Sequence, residues 1–377
     1  MTPDVVVIGA GPAGSVAAAT LARRGRAVLL VDGADFPREK VCGCCLSARG
    51  VATLESLGLH DLVASGSSLE TVTLGVGRRT WSLAFPGSRV LSRGVLDQAL
   101  LDHARRCGTV FRPRCRGTVT TEGEVVLRTT DGTERLRPAI VLVADGLGGR
   151  ALRNHPEFAW RKARGARFGA GVITAADAPG PSPGELEMLV DPDGYLGVVR
   201  LPDGRLDLAA ALDVSGAQTH GGPGPLAAHI LRRFGRDALA REIDTSTWHG
   251  TPVLTRRRTV AHANIACLGD AAGYVEPFTG EGMTWAMQSA VSLANLAETA
   301  VESGSMTPWI GEHRRLTRRD RRRCRMVSLA MRHPRIVGPA LALMTNLPVL
   351  RRHLSTVASG DGLTTLPSSS EHAHAGS

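Results

Sequence analysis

The chain has 377 residues, 43% of them hydrophobic, enough for two domains or for one large domain with an insertion around a real core. No run of 18 uncharged apolar residues occurs and an apolar strand starts by residue 5, so neither a membrane-spanning helix nor a signal peptide is expected. The net charge of +10 is carried almost wholly by arginine and comes with only 4% aromatic residues, a balance that argues against a nucleic-acid partner.

The first element is the β-branched run Val5–Ile8, read as a buried parallel strand. Gly9, Gly11 and Gly14 follow in G-x-G-x-x-G spacing. Gly9 suits a tight turn, Gly11 a close backbone approach to a pyrophosphate, and Gly14 close packing of helix on strand. Pro12 fits a first helical turn, and Ala13 continues a run of small residues. A second strand, Val28–Val31, ends in Asp32, an acid placed to bind ribose hydroxyls. The helix start would offer free N–H groups and the positive end of its dipole to an anion.

Next come the cysteine-rich FPREKVCGCCL (36–46) and a helical segment over 48–64. Strand-like alternation covers 71–90, a helix 91–107, and a β-meander 110–144 that closes on an apolar strand at 139–144. Residues 165–215 read as a separate antiparallel sheet and 226–243 as a helix. The strand at 264–268 then delivers a second glycine-rich stretch, GDAAGYVEPFTGEGM (269–283), followed by a helix over 281–301. Residues 312–354 are basic and helical, broken by Pro334, Pro339 and Pro348, and 359–377 read as a disordered tail.

The chain thus leaves its first sheet and returns to it near residue 265. The expected division is a discontinuous nucleotide-binding domain (1–70, 91–158, 255–301), a β-sheet substrate domain (71–90, 159–254), a C-terminal helical region (302–358) and the tail. In the second glycine stretch, Asp270 can accept from a cofactor hydroxyl. Gly280 and Gly282 remove side chains where a flat ring could lie, with a helix N-terminus aimed at it.

No export signal accompanies the seven cysteines, which read as reduced thiols in a cytoplasm. Cys42, Cys44 and Cys45 lack distant partners in metal-ligand spacing, so no metal site is assigned; packing of Cys42 beside the cofactor ring is preferred over a covalent link. The scattered histidines suggest no general base. On the inserted sheet, Met188, Tyr195 and Arg200 are substrate-facing candidates, although alternation alone does not say which face is inside. The arginine run 314–325 and the apolar 326–354 leave a peripheral membrane contact open beside the plainer readings of a solvated face and core packing.

These stretches resemble the FAD-dependent oxidoreductases of the aromatic hydroxylase superfamily, and within it the geranylgeranyl reductase-like branch, whose R-x-K-x-C-G segment is similar to residues 38–43. LSRGVLDQALLDHA (91–104) resembles the family's arginine-headed helix and VLVADGLGGR (141–150) its D-G motif, here with Gly149 in place of a serine and Leu152 in place of an arginine. The resemblance implies an α/β fold: a Rossmann-like, glutathione reductase-type FAD-binding domain with an inserted antiparallel sheet. It implies FAD contacts at Ala13, Asp32, Cys42, Gly43, Cys45, Arg93, Asp270, Gly282 and Met283. Pro277 falls where relatives place a proline by the oxygen-reaction site.

The expected activity is an NADPH- or NADH-driven monooxygenase of secondary metabolism. It would hydroxylate a lipophilic phenolic or polyketide-like molecule with O2, through a flavin C4a-hydroperoxide. Reduction of isoprenoid C=C bonds is the first alternative, favoured by the Cys42 segment, and a flavin electron carrier docking a protein partner is the second. Halogenation is disfavoured, because GYLGVVRLP (194–202) lacks the tryptophans of W-x-W-x-I-P and only two lysines are present.

Overall fold

The structure, a computed structural model, describes residues 2–77, 79–276, 280–333 and 338. The tail over 359–377, nearly all of the proline-broken segment beyond residue 333, and Pro277 lie outside the described residues.

Val5–Ile8 is the middle strand of a six-stranded sheet and is fully buried, as its β-branched composition requires. Val28–Val31 and Ile140–Val143 pair with it in parallel on either side. Val110–Arg112 and Ile265–Cys267 extend the sheet in parallel, and the short strand Ala261–His262 closes one edge antiparallel. The return of the chain near residue 265 is therefore a strand pairing, Val141 opposite Ile265. Helices Pro12–Arg23 and Gly282–Ser303 pack on each other. Both bury alanines along the contact side, Ala17 to Ala19 on one and Ala290, Ala294 and Ala297 on the other.

The second layer is an eight-stranded sheet. Its order is His249–Val253, Phe168–Ile173, Leu206–Leu212, Gly194–Arg200, Glu185–Asp191, Ser67–Val76, Arg79–Val90 and Cys45–Leu46. All its pairings are antiparallel except Glu185–Asp191 with Ser67–Val76. Three helices, Val214–His220, Pro223–Arg233 and Asp237–Asp244, cover its outer face around Leu196, Leu208, Leu226 and Ile230. Its inner face looks toward the cofactor-type sheet.

Several elements differ from expectation. The helix read over 226–243 is two helices, divided at Phe234 to Arg236, where Gly235 takes a positive φ of 72°. The segment 48–64 divides likewise at Gly58, φ 79°. Val110–Arg112 does not open the meander. It follows a crossover helix, Arg93–Arg106, and so joins the parallel sheet, leaving Arg116–Val119, Val125–Arg128 and Thr133–Leu136 as the antiparallel three. Cys45–Leu46, read as part of a cofactor loop, also hydrogen-bonds into the large sheet against Arg89 and Val90.

The last described helix, Pro308–Met331, is anchored by Trp309, whose fully buried indole N–H donates to the Cys267 carbonyl at 2.9 Å. His313 stacks edge-on beside it at 5.4 Å.

A candidate cofactor and substrate cleft

Between the two sheets lies one cavity of about 360 Å³. At one end is the first glycine loop. Gly9 has φ 106°, and a Cβ there would sit 2.4 Å from the Ala144 carbonyl oxygen; one at Gly14 would sit 1.8 Å from the Gly9 oxygen. The helix start is thereby pressed onto the strand ends. Gly11 differs, because a Cβ there would meet only the guanidinium ends of Arg38 and Arg93, at 3.7 and 3.9 Å. No side chain caps the helix that starts at Pro12, so its leading N–H groups stay open beside these two cations.

Those cations are themselves held in place. Arg93 forks onto Asp97 at 2.9 and 2.8 Å, both residues buried, and Arg38 lies 3.5 Å from Asp97 and 3.6 Å from Asp32. Asp32 accepts from the backbone N–H groups of Ala10 and Ala34. Lys40 also lines the cavity, and burial, then the neighbouring Arg93, pushes its ammonium below the usual lysine pKa, with Asp270 pulling the other way.

At the centre, Cys42 is half-buried with Sγ 3.8 Å from the Met283 sulfur at the start of the helix Gly282–Ser303, whose N-terminus also has no side-chain cap. A hydrogen bond from Cys44 lowers the Cys42 thiol pKa most; burial opposes it and Arg93 assists. Cys44 is buried at a non-glycine φ of 49°, and its thiol is pushed up by the Cys42 contact and by burial. All seven cysteines are free.

The far end is the inner face of the large sheet, and strand register sets its composition. One row runs Leu83, Val72, Leu186, Val199 and Asp207. The next runs Leu74, Met188, Gly197 and Ala209, and a third pairs Tyr195 with Ala211 and Gly169. These residues all line the cavity, with Val327 and Met331 of the last helix beside them. Glycine and alanine across the middle strands leave the space, and aliphatic side chains wall it.

Of the residues expected from sequence, the fold brings Gly11, Pro12, Ala13, Arg93, Asp270, Gly280, Gly282 and Met283 to this one cavity. Cys42, Gly43, Cys45, Met188 and Tyr195 line it too. Gly9, Gly14 and Asp32 do not; they shape the loop from behind. Arg200 is a correction. At the end of its strand its guanidinium donates to the carbonyls of Pro181, Ala176, Gly204 and Ala178, so it braces loops and does not line the cavity. Sequence reading assigned no role to Lys40, Tyr274 or Asp207, which also line the cavity. Asp207 carried a signal, an acid inside the apolar strand LDLAAAL. A Cβ at Gly149 would lie 2.0 Å from the carboxyl carbon of Asp145, whose Oδ2 accepts from the Ala151 N–H.

Two uncapped helix starts, two basic side chains and a continuous cleft fit an extended dinucleotide, its pyrophosphate at the first helix and its flat ring at the second. Comparison with known proteins agrees. A family model described as FAD binding domain matches residues 2–307. The menaquinone reductase of Mycobacterium tuberculosis is 30% identical over 321 residues, 78% of this chain and 76% of that protein. Digeranylgeranylglycerophospholipid reductase 1 of Methanothermobacter thermautotrophicus is 27% identical over 84% of this chain and 82% of its own. Among solved structures, the flavin-dependent brominase Bmp2 superposes with TM-score 0.80 at 15% identity, covering 96% and 94% of the two chains, a likeness of fold. The chain belongs to the FAD binding domain family and is an FAD-dependent oxidoreductase.

Proposed function

We propose that this flavoprotein is a reductase that saturates carbon–carbon double bonds in a long, lipophilic, isoprenoid-like substrate, with NADPH or NADH as electron donor. The observation that carries the reading is the cavity's far end: mostly aliphatic side chains, with Phe85 and Tyr195 among them, around a floor of glycine and alanine, with few polar groups. Such a surface gives an extended hydrocarbon contact area and offers little to orient a polar ring. Two relatives, each matched over about four-fifths of this chain, are named as reductases, of menaquinone and of a digeranylgeranylglycerophospholipid.

Bound FAD, once reduced, supplies the hydride. This chain's own residues do the rest. The N–H groups of Gly11 and Ala13, with Arg93 and Lys40, would hold the pyrophosphate, and Asp270 a cofactor hydroxyl. The helix start at Gly282 and Met283 would set its positive end against the ring and favour the charged reduced form. The aliphatic wall would align the chain and keep water out. Substrate delivery fits the last helix, where Val327 and Met331 line the cavity. The same helix exposes Arg314, Arg318, Arg322 and Arg325 beside Met326 and Leu329, which are 70% and 55% exposed. This face would dock on an anionic lipid surface and bring the cavity to its substrate. Retention of the protein on anionic but not neutral vesicles is the expected result.

The deciding experiment is a turnover assay of the FAD-loaded protein with a reduced nicotinamide and a polyprenyl lipid, without oxygen. Gain of two hydrogens per double bond is expected. The oxygen-transfer alternative predicts instead that a phenolic lipid gains one oxygen while O2 is consumed, and that outcome would replace the proposal.

A further inference from the structure

We propose that Asp207 is the proton donor of this site: its buried carboxyl group, on the cavity face of the large sheet and linked through the Cys44 thiol to Cys42, protonates the substrate carbon next to the one that receives hydride. This inference rests on the reductase reading. The step balances simply. Hydride from the reduced cofactor forms one C–H bond. The π electron pair, displaced to the adjacent carbon, takes the Asp207 proton to form the second. The carboxylate left behind is reprotonated from solvent by way of Cys44 and the cavity-facing Cys42.

Three observations converge on Asp207. Its place in the strand Leu206–Leu212 puts it on the same face as Ala209 and Ala211, directly opposite Val199, in the row of Val72 and Leu186. It is 5% exposed, and its Oδ2 has no hydrogen-bond partner. Apart from Asp270 in the cofactor half, it is the one carboxyl among the described lining residues. Second, Arg205, the arginine whose charge acts on Asp207, is paired elsewhere, with Asp203 at 2.7 Å and Glu39 at 3.6 Å. Third, Cys44 is a non-glycine residue with φ 49°, a conformation that persists where surrounding structure imposes it. Its thiol interacts with both Cys42 and Asp207.

Protonation follows from the surroundings. Burial raises the Asp207 pKa well above the carboxylate range; the Cys44 hydrogen bond and Arg205 oppose this, while Cys42 and Glu39 add to it. A carboxylic acid kept neutral in an apolar site can donate where an ionised one cannot. Cys42, whose thiol is shifted the opposite way, completes a pair with divided acid and base character.

The test uses the FAD-loaded protein and the variants Asp207→Asn and Asp207→Glu. Infrared difference spectra of the wild type should contain a protonated-carboxyl band, sensitive to D2O, that is missing in Asp207→Asn. The pH profile of Cys42 alkylation, which needs neither flavin nor substrate, should move in Asp207→Asn. In single turnover of the pre-reduced protein with a polyprenyl lipid, Asp207→Asn should be slowed ~100-fold or more at unchanged flavin content, with partial recovery in Asp207→Glu. An active wild type with an equally fast Asn variant overturns the role of Asp207 and leaves the reductase reading standing. A missing carboxyl band does the same. A wild type that saturates no polyprenyl lipid overturns the reductase reading itself, and this inference with it.

Discussion

At the cofactor end of the cleft, a methyl group added to Gly14 would meet the Gly9 carbonyl oxygen at 1.8 Å, whereas at the lipophilic end the closest atom to one added to Gly197 would be the flexible Met188 sulfur, at 3.0 Å. The first end is built from backbone: a glycine loop, two uncapped helix starts and the strand ends they press on. The second is built from side-chain volume distributed over paired strands. Backbone sites admit few substitutions because the ligand is read by N–H groups whose position the turn dictates. Volume sites tolerate change in stability and translate it into substrate choice.

The comparison can be broken by substitution at each end. Gly14→Val should have the largest effect, with loss of bound flavin and of cooperative unfolding, read by visible absorbance of the purified protein and by thermal denaturation. A folded, flavin-loaded Gly14→Val protein would mean that the loop is not the rigid end. Asp270→Ala should keep the fold but weaken flavin binding by about 1.5–3 kcal/mol, the worth of a hydrogen bond to a charged group, or roughly tenfold to a hundredfold in Kd by fluorescence titration. Ala211→Phe, opposite Tyr195, should cost about 1–3 kcal/mol of stability and leave flavin bound. Its turnover of long polyprenyl substrates should fall at least tenfold, with short ones less affected.

The smallest effect concerns pH. Burial, with Arg321 nearby, pushes the His313 pKa down to about 3 from an ordinary 6.5. The unfolded chain therefore binds the proton first on acidification. The contribution of neutral His313 is complete above pH 6.5 and is lost as the pH falls toward 3, by about 1 kcal/mol over the first pH unit. His313 packs on Trp309, which holds the strand leading to Asp270, so acid should loosen the cofactor end. His313→Phe should flatten this part of the Tm profile.

The cofactor end was legible because its requirements are local in the chain. The spacing of Gly9, Gly11 and Gly14 with strands on either side suffices, and so do Asp270 and Gly282 after their strand. Even there, Gly9, Gly14 and Asp32 support the loop rather than face the cavity, a distinction that spacing cannot draw. Arg38 and Lys40 sit in the same R-x-K-x-C-G stretch as Cys42, yet only the fold brings their charge to the glycine loop and cavity. At the other end, alternation left the faces of Met188, Tyr195 and Arg200 undecided. Pairing placed the first two inside and turned the third onto four loop carbonyls.

From its sequence alone this protein declared a nucleotide-binding β-α-β unit, a late return to the same sheet, and an inserted β-rich region. Turn glycines and apolar periodicity act over a few residues and need no distant partner. The register of Val199 against Asp207, the glycine and alanine floor, and the meeting of Cys42 with Met283 were decided only in three dimensions. They depend on which strands become neighbours, and that is settled by the packing of the whole chain.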